Sequence, residues 1–341
     1  MASSRSGTPR RKSAASRVFA AVFGLVVVLA VVLTAGWFYL AHELDRRVAS
    51  LLDAAAGGGT TIECGNREVF GYPFRLGVSC DALAVEAPAN GIKVTGGALH
   101  TASQIYQPSR IVAELASPVA VDAPDLPPIE LRWTLAQAST SLWTQGLERV
   151  SVAIDQPQVI LRGGDGAPFA RSDRLEFHAR QNGAGLDLVL TDAGVTATLP
   201  GIPPLPPFDV AVDMTVDGAA DWLRSGLPGG QFGPALRGEA GTVRALRLSL
   251  PGGGLAELSG PFRVAEGGEI SGDFRLSVEN PQAIAGLIGV LVPGTGGLAQ
   301  TVAGAIGFTG RQENGRTVID FQVRDGEARL GFIPLGRLPR I

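Results

Sequence analysis

The sequence predicts a mainly β fold: a long curved antiparallel sheet or sandwich with two short helices, behind one N-terminal transmembrane helix. Three observations predict it. Residues 18–40 form an uncharged apolar run, many later segments alternate apolar and polar residues with a period of two, and glycine-rich or Asn-Gly turns separate those segments. Of the 341 residues, 18% are charged and 45% are hydrophobic, which is enough apolar material for a sizeable core.

The apolar run is long enough to cross a bilayer. At about 1.5 Å per residue, residues 18–40 give a helix of roughly 34 Å. Five basic residues precede the run, namely Arg5, Arg10, Arg11, Lys12 and Arg17. The charges that follow it nearly cancel, so residues 1–17 are predicted to stay in the cytoplasm and the body to lie on the opposite side. The alternative is a cleaved signal peptide, for which Thr34-Ala35-Gly36 is a poor cleavage site.

Residues 41–59 are predicted to continue the anchor as an amphipathic helical stem. Apolar residues with helical spacing indicate this stem: Leu44, Val48, Leu51, Leu52 and Ala55. Three consecutive glycines, Gly57 to Gly59, are expected to end it. The remaining residues, 60–341, are predicted to form one β-rich domain.

Cys64 and Cys80 are the only cysteines, and both follow the stem on the side that the charge bias places in an oxidising compartment. A disulfide between them is predicted to clip the first hairpin and to stabilise the fold by about 3 kcal/mol. A catalytic thiol or half of a metal site are weaker alternatives, because the three histidines show no recognisable ligand or base spacing.

In the body, apolar residues on one strand face alternate with charged residues on the other. Residues 129–135, 174–180, 208–217, 273–278 and 319–324 are examples. Two helices are predicted, over 217–227 and 281–292, each after a strand and each before a Pro-Gly element. They suggest a weak internal repeat, although chance would also produce two such copies. Proline-rich breaks at 124–128 and 200–207 are interpreted as edge or crossover segments.

Motifs for catalysis, metal binding or nucleotide binding are weak. Gly294, Gly296 and Ala299 match the dinucleotide fingerprint by letter, but they follow a predicted helix instead of a strand. Three aspartates on one strand face, Asp209, Asp213 and Asp217, are better explained by solvation than by calcium. The remaining candidates for catalysis or binding are equally weak: His42, His100, His178, Trp133, Trp143, and the pairs Glu148 with Asp155 and Asp122 with Asp125. We expect no enzymatic activity, no metal and no cofactor.

The charge distribution also argues against a nucleic-acid partner. The net charge is −3, and the only lysines are Lys12 and Lys93. Nucleic-acid binding needs clustered cations, whereas the arginines are scattered singly along strand-like segments.

The segment from Cys64 to Cys80 contains Gly71-Tyr72-Pro73-Phe74-Arg75, and with the C-terminal segment 331–339 it resembles a bacterial family known as domain of unknown function 2125. The resemblance implies a Gram-negative envelope protein and brings no assigned activity. Together with the charge bias, it predicts an anchor in the bacterial inner membrane and a periplasmic body. More loosely, the architecture is similar to AsmA-type envelope proteins, whose curved sheets are thought to hold lipid.

Three hypotheses follow. In the first, the apolar sheet face binds or shuttles lipid acyl chains from the membrane that residues 18–40 span. In the second, the protein is a structural or assembly factor whose surface docks envelope proteins. In the third, which is the weakest, it is a hydrolase. A continuous apolar trough favours the first hypothesis, a solid core the second, and a polar cleft with paired titratable groups the third.

Overall fold

The computed structural model describes residues 14–124, 126–143, 146–164, 166–198, 206–291 and 296–341. Its first element is α1 (Ala14–Gly57), one uninterrupted helix of 44 residues that contains the predicted spanning segment and the predicted stem as far as Gly57. By length and composition α1 can cross a membrane. Most of the predicted basic tail lies outside the described residues.

Within the described ranges, twenty-three antiparallel strands form one large sheet, which confirms the mainly β prediction. The sheet has two sectors, and β15 (Gly185–Ala197) pairs in both. The minor sector contains, in pairing order, β1 (Thr61–Gly65), β4 (Ala82–Ala87), β5 (Ile92–Gly96), β8 (Val119–Ala123), β9 (Leu126–Arg132), β12 (Gln158–Leu161) and β13 (Pro168–Arg171).

The major sector is twice as wide, and the C-terminal half of the chain lies in it. It contains, in pairing order, β2 (Glu68–Phe70), β3 (Arg75–Cys80), β6 (Leu99–Gln104), β7 (Gln107–Leu115), β10 (Leu135–Trp143), β11 (Gly146–Asp155), β14 (Arg174–Asn182), β15, β16 (Phe208–Val216), β17 (Ala240–Ser249), β18 (Leu255–Val264), β19 (Ile270–Glu279), β21 (Arg316–Arg324), β22 (Glu327–Leu330) and β23 (Ile333–Arg337), with the short β20 (Arg311–Glu313) beside β21.

Up to β15 the chain alternates between the sectors, with one to three residues at each crossing. The predicted strand over 129–135 is therefore two strands, because Trp133 and Thr134 lie at a crossing between β9 and β10. The turns at 71–74, 105–106 and 183–184 all lie at one end of the major sector, which we call the near end. The prolines of 124–128, predicted to mark an edge or a crossover, instead lie at the start of β9, an interior strand of the minor sector, at a shift in its register with β8.

The second half of α1 packs against β1, β2 and β3. Ala41 is buried, and Leu44, Val48 and Leu52 are half-buried, which fits the amphipathic stem. Leu51 was assigned to the same face and is 70% exposed, because the helix turns it away from the sheet. Beyond the stem, Arg67 pairs with Asp45 at 2.9 Å and ties the β1–β2 connection to the helix.

The helix predictions are partly wrong. Residues 217–227 hold only a 3-10 turn and α2 (Trp222–Ser225), and α3 (Phe232–Ala235) follows. The second predicted helix is present as α4 (Pro281–Leu291), so the two segments do not share one structure. A further helix, α5 (Gly296–Thr309), was missed because its four glycines and weak amphipathic pattern favour a loop. It contacts β21 and β23.

The major sector has one apolar and one polar face. Ion pairs between strands cover the polar face, including Arg174–Asp155, Arg244–Asp213, Arg247–Glu257, Arg275–Glu313 and Arg324–Asp273. On the apolar face, one core cluster surrounds Val216, Val264 and Val323, which are almost wholly buried, and includes Ile341 at its edge. A smaller cluster lies under Ile284 of α4.

Candidate functional site

A row of apolar side chains crosses the apolar face of the major sector at one register. Its members lie directly opposite one another on six consecutive strands: Val152, Phe177, Leu190, Val212, Leu246 and Leu258. Opposed residues in antiparallel strands share a face, so these side chains form a continuous strip. We call it the apolar row.

Part of the apolar row lacks a covering layer. Phe177 is 36% exposed and Leu246 is 40% exposed. In the adjacent row towards the near end, by contrast, Leu188 and Met214 are 7% and 8% exposed, because α2, α3 and the C-terminal residues cover them. The row is therefore a partly open strip beside a closed core, since its other four members are half-buried.

The apolar row leads into a cavity of about 320 Å³. Leu258, the last member of the row, is the cross-strand partner of Leu246 and also lines the cavity. Every lining residue is apolar: Met214, Leu236, Val243, Leu258, Phe262, Val264, Ile270, Phe274, Phe321, Val323, Leu338 and Ile341. The cavity therefore suits only apolar ligand groups.

The cavity is closed on one side by the C-terminal segment. The backbone N–H of Ile341 donates to the carbonyl of Gly268 at 3.1 Å, and the Arg237 side chain donates to the Ile341 carbonyl at 2.7 Å. The backbone N–H of Leu338 donates to Gly326 at 2.8 Å. Gly268 has φ of +85°, and a side chain there would collide with the Ile341 backbone, so only glycine allows this contact.

Asp192 lies at the margin of the apolar face, between its cross-strand partners Leu175 and Val210. Its Oδ1 is buried and has no hydrogen-bond partner among the described residues. Burial raises the pKa of Asp192, and the nearby negative charge of Asp209 raises it further, although a hydrogen bond from Ser172 opposes both effects. The carboxyl group is the polar feature nearest to the row.

On the opposite face, the carboxylate of Asp187 is fully hydrogen-bonded. It accepts hydrogen bonds from Arg180 at 2.8 Å, Thr215 at 2.7 Å, Asn182 at 3.3 Å and Arg244 at 3.2 Å. Burial raises the pKa of Asp187, but these bonds outweigh it and hold the pKa well below its ordinary value. This network joins β14, β15, β16 and β17.

The signature residues Gly71 to Arg75 form a turn at the near end that contacts α1. The Tyr72 hydroxyl lies 2.8 Å from the Thr34 hydroxyl, and its ring packs edge-on against Trp37. The Trp37 indole N–H donates to the Arg75 carbonyl at 2.7 Å. Gly71 has φ of +110°, and a Cβ there would lie within 2.9 Å of Arg75, which explains the glycine. The sequence pattern did not predict this contact with the helix.

Cys64 at the end of β1 and Cys80 at the end of β3 are joined by a disulfide, with their Cα atoms 5.1 Å apart. Cys80 is buried in the sheet. The bridge therefore links the minor and major sectors beside α1.

The other candidate residues do not converge on a site. Asp213 pairs with Arg244, Asp209 accepts from the Gly194 N–H, and the described residues contain no group of three potential metal ligands. Asp155 pairs with Arg174 instead of Glu148, and Asp122 pairs with Arg162. Asp125, Gly294 and the Trp143 side chain lie outside the described residues.

His178 lies on the polar face beside Glu176, and His100 packs edge-on against Phe70. Trp133 donates to the Leu115 carbonyl at 2.9 Å across a crossing between sectors. These residues have structural contacts, and the predictions of no catalysis, metal or cofactor stay predictions.

The fold and the apolar row together define a one-sided β-sheet protein on a long apolar N-terminal helix. The chain belongs to the family described as "Uncharacterized protein conserved in bacteria (DUF2125)", whose model matches residues 37–339. The match begins inside α1, at Trp37, and includes the signature turn and the apolar row. Comparison with curated proteins and with solved structures found no match.

Proposed function

We propose that this protein is anchored in the bacterial inner membrane by α1 and holds the acyl chains of lipids against its apolar row in the periplasm. The observation that carries the proposal is the open row of apolar side chains that leads into a wholly apolar cavity. A closed sandwich would have covered Phe177 and Leu246. The combination of an exposed strip and a cavity is what an apolar ligand requires.

The shape of the site favours a linear chain as the occupant. Six strands at a spacing of about 4.8 Å give the row a length of roughly 24 Å. A compact polar substrate would find no hydrogen-bond partners there, whereas an extended acyl chain needs none. The lipid bilayer that α1 is proposed to cross supplies such chains.

Retention of α1 is part of the proposal. Trp37 and Ala41 are 7% and 8% exposed, because they pack against the body of the protein. Removal of the helix before or within this region would expose the signature turn and the edge formed by β1, β2 and β3. A cleaved signal peptide does not ordinarily form part of the folded core.

Native mass spectrometry of the full-length protein extracted from membranes tests the proposal. We expect bound phospholipid in the natural protein and a clear loss in Leu246→Gln, which places an amide on the row. Thr242→Gln is the matched control, because Thr242 is exposed on the polar face of the same strand, β17. Melting curves establish that both variants fold.

Absence of lipid from the natural protein, or equal lipid in Leu246→Gln, would contradict the proposal. The alternative function is the docking of an envelope protein on the same row. A photo-crosslinking amino acid at position 246 separates the two, since a lipid gives a small mass increase and a partner gives a reproducible protein adduct.

A further inference from the structure

Three arginines meet at the near end of the major sector, on its polar face. Arg75, Arg110 and Arg149 line one pocket of about 600 Å³. Its other polar lining residues are Ser103, Gln104, Gln107, Ser139, Thr140 and Ser141. Ala102 and Val112 lie opposite each other on β6 and β7 within it.

Strand register brings these arginines together although they are far apart in sequence. Arg110 lies opposite Ser141, and Ser141 lies opposite Arg149, so the two arginines flank one serine across three strands. Arg75 lies opposite Gln104 on the other side of the pocket. At a strand spacing of about 4.8 Å, Arg110 and Arg149 are roughly 10 Å apart at the backbone, with Ser141 between them.

None of the three guanidinium groups makes an ion pair or hydrogen bond with another residue that the structure describes. Elsewhere on the polar face the pattern differs, because Arg174, Arg244 and Arg247 each contact a carboxylate. A group of like charges without counter-ions is unfavourable unless an external anion binds. A guanidinium group presents two parallel N–H donors, which match the oxygens of a phosphate.

The pocket also lies next to α1. The Arg75 carbonyl accepts the Trp37 indole N–H, at the predicted outer end of the membrane span. Three aromatic side chains on the turns around the pocket are largely exposed: Tyr72 at 54%, Phe74 at 61% and Tyr106 at 76%. The Phe74 carbonyl accepts the Ile105 N–H, so the two turns are adjacent. Exposed aromatic rings beside cationic residues are typical of surfaces that lie at lipid headgroups.

We propose that the pocket of Arg75, Arg110 and Arg149 binds the phosphate of anionic phospholipid headgroups at the surface of the membrane that holds α1. This site is on the opposite face from the apolar row and does not depend on lipid binding there. Its role is to hold the near end of the sheet on the headgroup layer. The aromatic rings of the adjacent turns insert beside it.

Binding to lipid nanodiscs tests this proposal, with the full-length protein reconstituted at a fixed protein-to-disc ratio. The first arm compares discs of phosphatidylcholine alone with discs that also contain phosphatidylglycerol, using the rise in melting temperature with the anionic fraction as the readout. The second arm adds inorganic phosphate to phosphatidylcholine discs. We expect stabilisation by phosphatidylglycerol, screened by salt, and none by inorganic phosphate at the same concentration.

The variant Arg110→Gln/Arg149→Gln should lose the response, with a fall in apparent affinity of about tenfold or more. The matched control is Arg171→Gln/Arg263→Gln, which removes the same charge from two exposed arginines that form no ion pair with described residues. An equal response of both double variants would overturn the proposal. Equal stabilisation by inorganic phosphate would overturn the lipid as the source of the anion.

Discussion

The indole Nε1 of Trp37 lies 2.7 Å from the backbone oxygen of Arg75, and this hydrogen bond joins the long helix to the turn of residues 71–75. Trp37 is 7% exposed and its ring also contacts Tyr72. The near end of the sheet therefore has a fixed position relative to the helix. The pocket of Arg75, Arg110 and Arg149 lies at this end of the sheet.

Trp37→Phe should keep most of the packing and remove the hydrogen bond, leaving the Arg75 carbonyl without its partner. We expect the free energy of unfolding to fall by about 1–3 kcal/mol. Thermal unfolding of the full-length protein in detergent measures it. Tyr39→Phe is the control, since Tyr39 is 69% exposed. Equal effects of the two substitutions would show that the Trp37 bond does not stabilise the fold.

Loss of the disulfide should destabilise the junction between the sectors. A bridge across 16 residues stabilises a fold by about 3 kcal/mol, so Cys80→Ser should lower the melting temperature and the amount of protein in cells. Maleimide should label the denatured natural protein only after reduction, and should label Cys64 of the variant without it. Labelling of the natural protein without reductant would contradict the oxidising compartment.

Asp187→Asn should lower stability at pH 7 by about 1–3 kcal/mol, because it removes the negative partner of Arg180 and Arg244. Hydrogen bonds hold the pKa of Asp187 below 3.8, so its contribution is fully present above that pH and is lost as the pH falls towards the folded pKa. The difference between variant and natural protein should therefore shrink in acid. Asp213→Asn, at a more exposed partner of Arg244, should have a smaller effect at pH 7; the reverse order would contradict the network.

Asp192→Asn should raise stability at pH 7, whereas Asp187→Asn lowers it. Burial raises the pKa of Asp192, so its ionised form costs stability in the folded protein at pH 7. The variant should melt a few degrees higher at pH 7. The gain should begin to shrink as the pH falls through the folded pKa, where the natural carboxyl takes up a proton, and should be lost below the unfolded pKa. Asp53→Asn, at an exposed position of α1, is expected to change little, and a lower melting temperature for Asp192→Asn would contradict the assignment.

The compartment is tested with fusions after Gly59. Alkaline phosphatase fused there should be active, and a reporter that works only in the cytoplasm should be inactive, because the five basic residues before the apolar run favour a cytoplasmic N-terminus. The inverse result would overturn the periplasmic position and the oxidising compartment assumed for the disulfide.

Local patterns in the sequence were sufficient to predict α1 and the apolar and polar faces of the strands. The apolar run and the stem spacing predicted α1 up to Gly57, and period-two alternation predicted the amphipathic strands, because side-chain periodicity is a property of neighbouring residues. The same reasoning missed α5, whose helical form depends on its contacts with β21 and β23. It also predicted a full helix over 217–227, where the chain makes only short turns around a glycine-rich connection.

The candidate sites, in contrast, depend on register between strands that are distant in the chain. The sequence determined that Phe177 and Leu246 lie on an apolar face, but only the tertiary structure decided that this part of the face is uncovered. Likewise, Arg110 and Arg149 appear in the sequence as isolated cations on separate strands. Pairing of β7 and β11 with β10 places them beside one serine. Non-local hydrogen bonding fixes that arrangement, and no local pattern of residues encodes it.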